Sequence, residues 1–140
     1  MKKILYTAAI MVAAASCNNT NPFLTEWDTP YGIPDFGAVK EKHYVPAFEA
    51  GIAQQQAEIE AIIANTEEPT FANVVEAYEK SGAILDRVTG VLFNLSETDA
   101  TPSLQAIVEK VLPQLSVHSD NIFMNPAFFK KVEVLYNDME

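Results

Sequence analysis

The stretch "KEKHYVPAFEAGIAQQQAEIEAIIAN", residues 40–65, decides how this chain folds. Tyr44, Val45, Phe48, Ile52, Ile59, Ile62 and Ile63 recur at steps of three and four residues, with Gln54, Gln56, Glu58 and Glu60 between them. At 3.6 residues per turn that spacing lays one apolar stripe along a helix. Pro46 suits a helix start, because first-turn amides have no internal partner to lose. His43 then reads as a helix-entry residue that hydrogen-bonds locally, and the helix is expected to end near Asn65.

The same pattern continues downstream. Glu67-Glu68-Pro69 interrupts it, Thr70 is a good N-cap, and Phe71, Val74, Val75, Tyr78, Leu85, Val88, Leu92 and Leu95 predict one helix to about Asn94. Ser81-Gly82 falls inside that helix and suggests a close helix crossing. "SETDAT", residues 96–101, reads as a loop. Thr101-Pro102 supplies a cap with proline at the first helical position, followed by Leu104, Ile107, Val108, Val111, Leu112 and Leu115. Pro113 lies within that stripe and predicts a kink, or a break and restart, near Glu109 to Leu112. Asn125-Pro126 starts a last helix carrying Phe128, Phe129, Val132, Leu135 and Tyr136. The sequence stops at Glu140 with no helix-terminating glycine, which reads as a cut through a longer protein.

Upstream of the helices the composition changes twice. Residues 22–39 interleave Pro22, Pro30, Pro34, Gly32 and Gly37 with Phe23, Leu24, Trp27, Tyr31, Ile33 and Phe36. Prolines at that density exclude a long helix or a central strand, and a free linker would be poor in aromatics. An extended arm whose rings dock on the body is expected, with an exposed ligand-binding aromatic patch as the alternative. Residues 1–16 read as a signal peptide: Lys2-Lys3, then an apolar run from Ile4 to Ala15 too short to span a bilayer. The run ends in Ala14-Ala15-Ser16-Cys17, which resembles a bacterial lipobox. Cys17 is the single cysteine, which excludes an intrachain disulfide; lipidation at Cys17 is the expectation, with an ordinary secretory signal that leaves Cys17 a free thiol as the alternative. The division is thus a signal over 1–16, tether and aromatic arm over 17–40, and a helical body over 41–140, placed at the bacterial cell envelope.

Charge and motifs limit the chemistry. The chain of 140 residues has a formal charge of −10, near −12 once Lys2 and Lys3 are removed, so nucleic acid and anionic membrane surfaces are poor partners. A membrane is met only through the lipid anchor. A helical zinc-peptidase site needs His-Glu-x-x-His, which puts two imidazoles on one face with a glutamate to polarise water. Here His43 and His118 stand alone, and neither begins that motif. His43 with Glu41 or Glu49 is a possible ligand cluster, outweighed by a local hydrogen bond. "HSDN", residues 118–121, places imidazole, hydroxyl and carboxylate in sequence, but helix neighbours point in different directions. Glu76 and Lys80 form an i,i+4 surface pair. No catalytic or metal-ligating residue is assigned.

The order of elements resembles the N-terminal helical region of the thimet oligopeptidase-like zinc peptidases, in particular the bacterial peptidyl-dipeptidases. The matching features are Lys40-x-x-His43-x-x-Pro46-Ala47, Pro69-Thr70-Phe71 with Asn73, Ser81-Gly82-x-x-Leu85-Asp86-Arg87, and Asn94-Leu95. The resemblance covers Asn21 to Tyr136. It implies an all-α fold, with the arm followed by about four antiparallel helices that are a fragment of the helical lobe walling a substrate channel. It also implies a longer protein that uses zinc to release dipeptides from the C-termini of oligopeptides. The zinc motif lies outside this sequence, so the chain alone is expected to be inactive. A free-standing acidic lipoprotein that binds peptides or proteins is the alternative reading, and an unrelated helical envelope protein the third.

Overall fold

The computed structural model describes residues 21–138, so the signal segment and Cys17 lie outside the described residues. Among those residues the structure is helical, with no strand. Helix α1 spans Tyr44–Ala64. A π-helical run, Phe71–Glu76, tightens into one α-helical turn, Ala77–Glu79, and the two together are α2. Helices α3 (Ala83–Thr98), α4 (Pro102–Phe123) and α5 (Pro126–Asn137) follow.

Side-chain pairing gives the helix directions. Gly51 lies against Leu85 while Glu58 meets Gly82, so α1 and α3 run antiparallel. Glu41, just before α1, meets Ser103, and Gln55 meets His118, so α4 runs parallel to α1. The three long helices thus go up, down and up, and α5 packs across the C-terminal end of α1, where Lys131 Nζ donates to the Asn65 carbonyl at 2.7 Å.

Two apolar clusters form. One joins Phe23 of the arm, Tyr44, Ala47 and Phe48 of α1, Val88 and Leu92 of α3, and Leu104 and Val111 of α4. The other joins Ile59 and Ile62 of α1, Val74 of α2, Ile122 of α4 and Phe128 of α5.

The caps are where the residue types place them. Thr70 Oγ1 accepts from Asn73 N while Asn73 Oδ1 accepts from Thr70 N, a reciprocal capping box. Thr101 Oγ1 accepts from Leu104 N, and Asn125 Oδ1 accepts from both Ala127 N and Phe128 N. Each satisfies first-turn amides that have no carbonyl partner within the helix.

Four expectations need correction. The helix predicted across Ser81-Gly82 is broken there: Gly82 adopts φ 78°, and α3 begins after it. The positive φ favours glycine, and a Cβ at Gly82 would lie 2.6 Å from Gln55 Nε2 and displace that amide. The expected close approach to α1 is present at Ser81-Gly82 and recurs at Gly51, whose Cβ would meet Leu85 N at 2.9 Å. The loop expected at 96–101 is shorter, since α3 continues to Thr98 with Thr98 Oγ1 donating to the Asn94 carbonyl. Helix α4 passes through Pro113 without a break and restart; Pro113 is exposed, and the buried Val111 and His118 anchor the helix on either side.

The fourth correction concerns the arm. Phe23 is fully buried against Tyr44 and Trp27, and its carbonyl accepts from Arg87 Nε at 3.1 Å. Asn21 Nδ2 donates to the His43 carbonyl at 2.7 Å, and Trp27 Nε1 donates to the Pro22 carbonyl. The remaining rings do not dock. The tight turn Pro30–Gly32 puts Tyr31 at φ 61° with its ring 98% exposed, and Ile33 and Phe36 are more than half exposed.

Candidate functional site

The polar feature most enclosed by the fold is a layer between the two apolar clusters. Along α1 the sequence of positions is Phe48, Gln55, Ile59; along α4 it is Val111, His118, Ile122. In both, the polar residue sits seven after one buried apolar residue and four before the next, so it occupies the inward stripe. Ser81, in the turn between α2 and α3, completes the layer from the third side.

The bonds form one chain whose polarity is fixed at its far end. Ser81 Oγ donates to the Tyr78 carbonyl at 2.7 Å, which can only accept. Ser81 Oγ therefore receives Gln55 Nε2–H at 3.1 Å, and Gln55 Oε1, an acceptor, faces His118 Nε2 at 2.8 Å. His118 must carry its proton on Nε2. Burial in this apolar surrounding holds its pKa below the usual histidine value, so the ring is neutral at physiological pH. Beside the layer, Glu58 Oε2 accepts from Gly82 N at 2.8 Å. That carboxylate satisfies an amide at the start of α3 and lies at the positive end of its dipole.

This arrangement clamps helices together and gives the Ser81 hydroxyl no base within reach. Gln55 stands between Ser81 and His118, and an amide is neither acid nor base, so the imidazole cannot take the hydroxyl proton. The concavity of about 270 Å³ next to His118 is lined by residues including Gln56, Glu60, Asn121 and Asn125, with no hydroxyl, thiol or amine nucleophile among them. A second concavity of about 400 Å³ separates Trp27, Ile33 and Phe36 of the arm from Arg87, Gly90 and Asn94 of α3.

The residues singled out in the sequence are not brought together. His43 Nδ1 accepts from Lys40 N at 3.1 Å, the local bond expected of a helix-entry histidine, while Glu41 accepts from Ser103. His118 is buried, and its neighbours Ser119, Asp120 and Asn121 are exposed, so "HSDN" forms no common site. Glu76 and Lys80 do pair, at 3.1 Å on the surface. Among the described residues no group of three or more His, Cys, Asp or Glu side chains is placed to hold a metal ion, so these residues do not fit a zinc site. Also among them, no helix is long and apolar enough to cross a membrane. Gln55 is not singled out in the sequence; only the placement of α4 opposite it distinguishes it from Gln54 and Gln56.

Comparison with known proteins identifies relatives. The chain is 38% identical over 118 residues to the dipeptidyl carboxypeptidase of Salmonella typhimurium, a match covering 84% of this chain and 17% of that protein. It is 36% identical over 120 residues to the dipeptidyl carboxypeptidase of Escherichia coli, covering 86% of this chain and 18% of that one. Oligopeptidase A of Salmonella typhimurium is 29% identical over 100 residues. The aligned part of the chain thus spans less than a fifth of the length of these dipeptidyl carboxypeptidases. No protein-family model matches the chain.

Proposed function

We propose, from the premise that the chain belongs by sequence with the dipeptidyl carboxypeptidases and oligopeptidases A, that it is a non-catalytic helical part of a longer zinc peptidase. It walls the channel through which oligopeptides reach the site where dipeptides are released from their C-termini. Alone it has no hydrolytic activity. Zinc and its ligands belong to sequence outside this segment, and Cys17 carries a lipid that holds the protein at the bacterial cell envelope. Its partners are oligopeptides, not nucleic acid.

One observation carries this reading: 84–86% of the chain aligns at 36–38% identity with only 17–18% of each dipeptidyl carboxypeptidase. The whole body is therefore used up in matching a minor portion of a peptidase. The internal use of its polar groups supports the same division of labour. Ser81, Gln55, His118 and Glu58 all spend their hydrogen bonds on holding helices together.

The test is a graft. Residues of this chain replace the aligned segment of the Escherichia coli dipeptidyl carboxypeptidase, and release of C-terminal dipeptides from a blocked oligopeptide is measured. The grafted enzyme is expected to be active, with the isolated chain inactive. A soluble, folded graft without activity counts against the channel-wall role. Saturable binding of the same oligopeptide by the isolated chain would favour a free-standing binding protein.

A further inference from the structure

Helix α5 has a wider apolar face than its own fold covers. Phe128 and Leu135 pack in the second cluster, but Phe129, Val132 and Tyr136, at i, i+3 and i+7, are 59%, 38% and 66% exposed. This second stripe continues onto Phe123 at the end of α4, 61% exposed, whose ring meets Tyr78 edge-on at 5.9 Å. Between the two stripes and α2 lies a groove of about 220 Å³ walled by Val75, Tyr78, Phe123, Phe129 and Val132. Scattered exposed apolar residues need no explanation, whereas a contiguous aromatic groove marks a surface that is covered by something.

We infer that this groove is the seat of an amphipathic helix from the remainder of the longer polypeptide, so that α5 is an interior helix of a larger helical body. The inference rests on the reading above, that the chain is part of a longer peptidase. The choice of occupant rests on length and charge. The aligned relatives have more than four-fifths of their length beyond the matched segment, which supplies further helices in the same molecule. A second copy of this chain would bring together two bodies of formal charge −10, whose mutual repulsion opposes a symmetric dimer. A helix entering the groove presents apolar residues at i, i+3 or i+4, and i+7, the spacing that meshes with the α5 stripe.

The test compares Phe129→Cys, in a Cys17→Ala background, in the isolated chain and in the graft described above. Alkylation at residue 129 is followed by mass spectrometry of the peptide that carries it. Labelling at least about tenfold slower in the graft than in the isolated chain is expected, since an interface thiol reacts only on local opening. Equal labelling rates in a graft that still releases dipeptides would overturn this inference and leave the channel-wall reading standing. A graft that folds without cleaving counts against the channel-wall reading on which this inference rests. Sedimentation of the isolated chain is expected to show a monomer. A concentration-dependent dimer abolished by Phe129→Ser would assign the groove to a second copy and overturn the inference by that route.

Discussion

His118 is a neutral imidazole held in the middle of the molecule by a single amide, and its burial has a consequence for stability. Its pKa is lowered on folding by desolvation, and that of His43 is lowered by desolvation and then by Lys42 and Lys40. For both, the unfolded chain binds protons more readily than the folded one as pH falls below about 6.5. Stability is therefore full above that pH and declines as pH drops toward and through the folded values. His118→Gln keeps a donor for Gln55 Oε1 and removes the titration. Urea unfolding midpoints between pH 7.5 and 5 should fall less steeply for this variant than for wild type; an unchanged slope would assign the pH dependence elsewhere.

Three glycines separate conformational from spatial demands at the same scale. Gly82→Ala forces a Cβ into the left-handed region and into the Gln55 amide, and should cost about 2 kcal/mol or more. Gly51→Ala pushes against the Leu85 backbone, which cannot give without moving α3, and should cost about 1–3 kcal/mol. Gly90→Ala meets nothing within 4 Å in mid-helix and should stabilise by about 0.5–1 kcal/mol. Denaturant unfolding of the three variants gives the signs directly.

At the scale of elements, helix starts were legible and one helix interior was not. Thr70, Thr101 and Asn125 each cap the helix that their sequence context predicts, because an N-cap depends on a side chain reaching amides two or three residues away. Asn125→Ala removes the acceptor for two amides and should cost about 1 kcal/mol, read as a lowered thermal midpoint. The break at Ser81-Gly82 was hidden because the apolar spacing continues in phase across it, from Tyr78 to Leu85. What permits the break is distant: Glu58, 24 residues earlier, supplies the acceptor for Gly82 N. At Pro113 the helix continues, so the break and restart, one of the two outcomes expected there, does not occur. The missing proline amide costs one bond at an exposed position, which the packing of Val111 and His118 outweighs. The arm was half legible: the density of aromatics predicted docking, but not that among its rings Phe23 and Trp27 would join Val39 in facing the body while the Pro30–Gly32 turn directs Tyr31 outward.

At the scale of the molecule, two apolar clusters are separated by a satisfied polar layer and flanked by an uncovered aromatic groove. A buried polar layer of this kind fixes register, since sliding α4 along α1 by one turn would leave Gln55 and His118 unpaired among apolar side chains. The all-helical class was readable from periodicity alone. The layer was not, because a glutamine on the inward stripe is indistinguishable from its neighbours Gln54 and Gln56 until the opposing helix is placed. Among the described residues no group of three or more His, Cys, Asp or Glu side chains is placed to hold a metal ion. In the function proposed above, this segment supplies shape and sequence outside it supplies the reacting groups.

That division is tested most directly by assaying the purified chain, with added zinc, for release of C-terminal dipeptides from a short blocked oligopeptide. Release indistinguishable from the blank, with and without chelator, is the predicted result. Dipeptide release by this chain alone that disappears on adding chelator would contradict it.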